Sequence, residues 1–130
     1  MSEDTSVRRR PPAATAIGLL AALGAIGSAV MTLAHVDLDI PFLTFFGPGR
    51  LIAPAAASFA VGTVLYVVVA YGAFRVARWS WPVALVVNVL AFLVSAFPYR
   101  GWVSGAAMAV SVIAVAVLVS RPGRVALRGR

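Results

Sequence analysis

The sequence predicts an all-α fold: a four-transmembrane-helix integral membrane bundle with antiparallel neighbours and both termini in the cytoplasm. Three observations predict it: the composition, four long uncharged runs, and the placement of arginine. Of 130 residues, 62% are apolar and 12% charged, against roughly 45–50% and about 25% in soluble domains. A chain of 13.5 kDa with mean hydropathy +0.97 has too few polar groups to cover a surface in water. Lipid as solvent removes that requirement, provided the backbone satisfies its own hydrogen bonds.

Residues 1–12 form a polar, basic tail with Arg8, Arg9 and Arg10, read as disordered and ending in Pro11-Pro12. Residues 13–34 then run without a charge, long enough to cross a bilayer. A basic segment followed by an apolar stretch also resembles a signal peptide. The apolar run of 22 residues exceeds the 7–15 of such a core, so an uncleaved span is expected. Residues 35–54 form a mixed loop holding Asp37, Asp39, Arg50 and a Gly47-Pro48-Gly49 turn.

A second apolar run covers 55–74, with Pro54 at its first turn, where a missing N–H costs little. After a short basic connection, the third run covers 82–97 and is short unless Trp79 to Trp81 extend it. Pro98 to Gly101 make a tight turn, and the fourth run covers 102–120. Residues 121–130 form a basic tail with four Arg and no acid. Strands rarely reach half these lengths, and membrane β-strands would alternate in polarity. Helices are the reading that remains.

Arginine sets the orientation. The N-terminal tail, the second connection and the C-terminal tail carry nine of the eleven basic residues, all Arg, and the opposite side carries Arg50 and Arg100. The arginine-rich side is therefore expected in the cytoplasm. Trp79 and Trp81 mark the inner boundary and Tyr99 and Trp102 the outer one, as interfacial aromatics do. Arginine without lysine, amid abundant Ala, Val and Gly, suggests a high-GC bacterial source and hence the cytoplasmic membrane.

The third run shows which faces pack. Ala84, Asn88, Ala91 and Ser95 are spaced to share one helix face, with large apolar residues elsewhere. A tight turn before the fourth run matches depths where residue numbers sum to about 199, with equal rise on both helices. That pairs Ser95 with Ser104, Ala91 with Ala107, Asn88 with Ser111 and Ala84 with Ala114. Such small residues let helices approach closely in lipid. Across the second connection Tyr66 falls level with Asn88, so Tyr66, Asn88 and Ser111 are expected in one polar layer, roughly 12–13 Å deep. Asn88, the only amide in the runs, is expected to find a partner on another helix, as structural glue or as part of a binding site. In the first run Ala14, Gly18, Ala21, Ala25, Ser28 and Thr32 form a small-residue stripe that His35 continues.

Few positions carry reactive chemistry. In an extended segment His35, Asp37 and Asp39 would point to one side, a weak candidate for a divalent-metal site. The chain has no Cys, which excludes thiolate metal ligands and Cys nucleophiles. No phosphate-binding glycine pattern occurs. Arg75, Arg78, Arg121 and Arg124 are candidate contacts for anionic lipid. The apolar runs contain no ionisable acid, base or His, which argues against a proton-coupled transporter.

The reading is a small multi-pass membrane protein without enzymatic activity or cofactor, acting as an accessory, assembly or interaction subunit. Two alternatives stay open. One is a homo-oligomeric transporter or channel for a neutral or apolar solute; the other is an extracytoplasmic metal or pH sensor using His35, Asp37 and Asp39. Expected partners are the bilayer with its anionic phospholipids and another membrane protein or a second copy, not nucleic acid.

Overall fold

The computed structural model describes residues 9–47 and 51–128. Among these residues six helices follow in order: α1 (Pro12–Ala34), α2 (Pro41–Thr44), α3 (Ala53–Phe74), α4 (Ser80–Ala96), α5 (Trp102–Val119) and α6 (Arg121–Arg128). No strand occurs among the described residues. α1, α3 and α5 are long and apolar enough to cross a membrane, and α4 is a shorter apolar helix of 17 residues. Ser80 and Trp81 do extend α4 at its start. Proline stands at the first or second position of α1 and α3, where its fixed φ suits a helix and its missing N–H is not needed.

The four long helices pack in chain order around a ring. α1 lies against α3, α3 against α4, α4 against α5, and α5 closes on α1. α3 and α5 therefore face each other diagonally. One end of this bundle, the base, gathers the start of α1, the α3–α4 connection and the end of α5. The other end, the mouth, gathers the loop after α1 and the α4–α5 turn.

The core sits toward the base. Ala14, Ile17, Ala21 and Ala25 of α1 meet Tyr66, Val69 and Ala73 of α3, Ala84 and Val87 of α4, and Leu118 of α5. Large apolar residues such as Leu19, Ile26, Val64 and Val94 point outward, each more than half exposed. The Trp81 indole N–H donates to the Leu118 carbonyl at 2.9 Å. Those two numbers sum to 199, the depth match expected from the α4–α5 turn. Along the seam Ala84, Asn88, Ser104, Ser111 and Ala114 are buried, whereas Ala91, Ser95 and Ala107 are half-buried, so α4 and α5 cover each other less fully toward the mouth.

The connections are specified by backbone geometry. α3 ends with Ala77 N–H on the Gly72 carbonyl (2.9 Å) and Val76 N–H on the Ala73 carbonyl (3.0 Å), the paired bonds of a Schellman ending. That ending puts Val76 at φ 54°, a position where glycine is usual and a β-branched side chain is strained. Before α5, Gly101 takes φ 73° and ψ −146°, a conformation essentially restricted to glycine.

The C-terminal segment differs from the expected basic tail, because most of it coils into α6. Ser120 starts it: its hydroxyl accepts from Gly123 N–H at 3.2 Å, an N-cap bond, and donates to the Val117 carbonyl at 2.6 Å. Gly123 lies so close to the Val117 carbonyl that no side chain fits there. Four residues on, Leu127 is 1% exposed, while Arg121, Arg124 and Arg128 point out. α6 thus lies across the base against α1, α4 and α5. Residues 1–8 of the N-terminal tail, Pro48 and Gly49 of the expected turn, Arg50 and residues 129–130 lie outside the described residues.

Candidate functional site

Three places gather polar groups: the middle of the bundle, the mouth and the base. In the middle, Tyr66, Asn88 and Ser111 are each buried, at 7%, 3% and 1% exposure. Tyr66 is placed by Gly24 of α1: a Cβ on Gly24 would lie 2.8 Å from the phenol ring, so only glycine leaves room for it. From α3 the phenol reaches across the bundle toward Ser111 on α5. The pair does not form a well-directed hydrogen bond, and Ser111 Oγ is buried without a partner. Asn88 corrects an expectation. Its amide donates to Ala84 O at 2.8 Å, the carbonyl four residues back on its own helix, instead of bridging to another. The i−4 carbonyl is the nearest acceptor to a short side chain on a helix. Thr32, Ser58 and Thr63 make the same kind of bond.

At the mouth the loop after α1 folds back over the bundle. Leu43 of α2 is buried, and Phe45 and Phe46 pack on Trp102 with ring centroids 5.3 and 5.8 Å apart. Beneath this aromatic wall lies a cleft of about 530 Å³ lined by Met31, His35, Thr44, Ile52, Arg100 and Val103, among others. The volume falls in the range of roughly 300–1,000 Å³ typical of small-molecule sites. The cleft was not legible in the sequence, since Arg100 and Trp102 are more than fifty positions from His35.

His35 does not act with Asp37 and Asp39. It follows the last turn of α1, and its Nδ1 donates to the Met31 carbonyl at 2.8 Å. Its ring rests on Phe59, 5.3 Å between centroids. The residue therefore continues the small-residue stripe of α1 and is 4% exposed, while Asp37 and Asp39 stand out in solvent. The extended alternation expected for this segment is broken by tight turns, with Leu38 N–H on Val36 O and Ile40 N–H on Leu38 O. Among the described residues no three His, Cys, Asp or Glu side chains come together to hold a metal ion.

At the base, Arg9, Arg10, Arg75, Arg78, Arg121, Arg124 and Arg128 are all exposed and form a cationic collar. Three of them stack on rings: Arg10 over Phe74 at 5.7 Å, Arg75 over Tyr71 at 5.4 Å and Arg128 over Trp81 at 5.0 Å. The described acids, Asp37 and Asp39, are both at the opposite end. A collar of this kind is able to take anionic groups, lipid headgroups among them. Stacking on aromatic rings fixes the long side chains of Arg10, Arg75 and Arg128, which lowers the entropy lost on contact. No protein-family model matches this sequence, and no curated protein or solved structure gives a match to it.

Proposed function

We propose that the chain is a four-span protein of the bacterial cytoplasmic membrane, with both termini inside, that works through contacts within the bilayer and not by catalysis. On this reading the base faces the cytoplasm, its arginine collar rests on anionic phospholipid, and the mouth opens to the exterior. The partner is another membrane protein, which the chain serves as an accessory or assembly subunit.

The observation that carries the reading is the distribution of bulk. The buried cluster joins alanines with Ile17, Tyr66, Val69, Val87 and Leu118 and is closed at the base by α6, whereas only 22% of the most apolar stretch of α1, α3 and α5 is buried within the chain. A filled interior offers no aqueous route through one copy. The outward surface, dense in Val, Leu and Ile, is large relative to the core and is available to lipid or to another helix. The ring supports counting α4 as the fourth span, since it packs between α3 and α5 and is bonded to α5 through Trp81 and Leu118.

The test is purification from native membranes in a mild detergent, followed by native mass spectrometry. The reading expects a stoichiometric complex with a different membrane protein, dissociated by a bulky substitution such as Ala57→Trp on the exposed face of α3. Recovery of single chains with lipid alone would count against it. A homo-oligomer that carries solute in proteoliposomes would favour the transporter alternative.

A further inference from the structure

We propose that the mouth cleft is a binding site for the head of an acylated phosphoglycerol, with the phosphate on Arg100 and a glycerol hydroxyl on His35. This goes beyond the contact reading and survives its failure, because the site is read with no partner protein present.

Arg100 lines the cleft and is exposed, while its backbone N–H is anchored on Ser104 Oγ at 2.9 Å. Guanidinium presents a planar fork that matches phosphate oxygens. The starts of α3 and α5 also line the cleft, through Ile52 and Ala55 and through Trp102 and Val103. Neither helix has a side-chain cap at its start. Two positive helix ends thus add to the field of Arg100.

His35 narrows the class of head. A carbonyl only accepts, so the bond to Met31 O fixes the imidazole proton on Nδ1. Nε2 is then the ring atom left for a ligand, and His35 is a buried lining residue of the cleft. A hydroxyl both donates and accepts, so it can pair with that nitrogen. A head carrying both phosphate and hydroxyl satisfies Arg100 and His35 together.

The wall accounts for the chain. Phe45 is 67% and Trp102 55% exposed, and with Phe46 they make a continuous apolar rim from the cleft to the outer face of the bundle. An acyl chain laid on that rim stays in the hydrocarbon while the head enters the cleft.

Photolabelling tests the site. The protein is placed in phosphatidylcholine nanodiscs doped with photoactivatable phosphatidylglycerol, its single-chain lyso form, or the matching phosphatidylcholine, and labelled peptides are mapped. The expected result is labelling of residues 43–47 and 100–103 by a phosphoglycerol form, about tenfold above phosphatidylcholine. Arg100→Gln brings it to the phosphatidylcholine level, His35→Phe reduces it severalfold, and Arg78→Gln at the base leaves it unchanged. Labelling at the base, retained in Arg100→Gln, shows that the variant is folded. A diacyl label at the mouth identifies the surrounding leaflet as the source. A lyso label alone identifies a free single-chain amphiphile; both support the site. Equal labelling by phosphatidylcholine, or full labelling of Arg100→Gln, overturns the proposal.

Discussion

The base and the mouth of this bundle are packed in opposite ways. At the base, each long helix contributes to one buried cluster, glycines lie against rings, and α6 lies across the end with Leu127 in the core. At the mouth, the buried residues are few, Ala34, His35, Leu43, Ala56 and Ser104 among them, and a cleft remains under an exposed aromatic wall. The difference lies in what each end has to pack with. Small residues and glycines let helices approach at the base, whereas the loop after α1 supplies bulky phenylalanines that rest on Trp102 without filling the space below. A membrane bundle can therefore be rigid at one end and receptive at the other without a separate binding domain.

The base is the place where substitutions should cost most. Leu127→Ala removes the side chain that seats α6 and is expected to lower stability by about 2–4 kcal/mol, read as thermal or denaturant unfolding in detergent. A value near zero would mean that α6 is not docked. Next comes a pair of glycines on α1. Gly24→Ala puts a methyl against the Tyr66 ring at 2.8 Å and should cost about 1–3 kcal/mol. Gly27→Ala, with nothing within 4 Å, should stabilise by up to about 1 kcal/mol through helix propensity. If both behave alike, the close approach of α1 and α3 is wrong. Trp81→Phe keeps an aromatic ring for Arg128 but leaves the Leu118 carbonyl without its donor, an expected loss of about 1 kcal/mol. At the mouth Phe45→Ala, already two-thirds exposed, should change stability by less than about 0.5 kcal/mol. A larger loss there would show that the mouth is packed as firmly as the base.

Much of the helical framework could be read from the chain. Uncharged runs fix helices in lipid because the backbone has no other partner, and a short turn fixes the register of the helices it joins, which is why Trp81 and Leu118 meet at the expected depth. The parts that escaped depend on short side chains and on end effects. Asn88 found its own i−4 carbonyl, a choice that depth matching cannot see. His35 fitted both the α1 stripe and an extended segment, and the bond to Met31 decided for the stripe. α6 did carry a signal: Ser120 before Arg-Pro-Gly, with Gly123 and Leu127 four apart, reads as a capped amphipathic helix. Its high arginine content masked that pattern. The cleft had no local signal because its walls come from the loop after α1, the α4–α5 turn and the facing ends of α1, α3 and α5.

The central claim is that the base lies in the cytoplasm and the mouth outside, and the absence of native Cys makes it directly measurable. Intact cells carrying Asp39→Cys or Arg124→Cys are treated with a membrane-impermeant maleimide. The account predicts that Asp39→Cys labels at once and Arg124→Cys only after the membrane is permeabilised. Labelling of Arg124→Cys in intact cells, with Asp39→Cys protected, would contradict it.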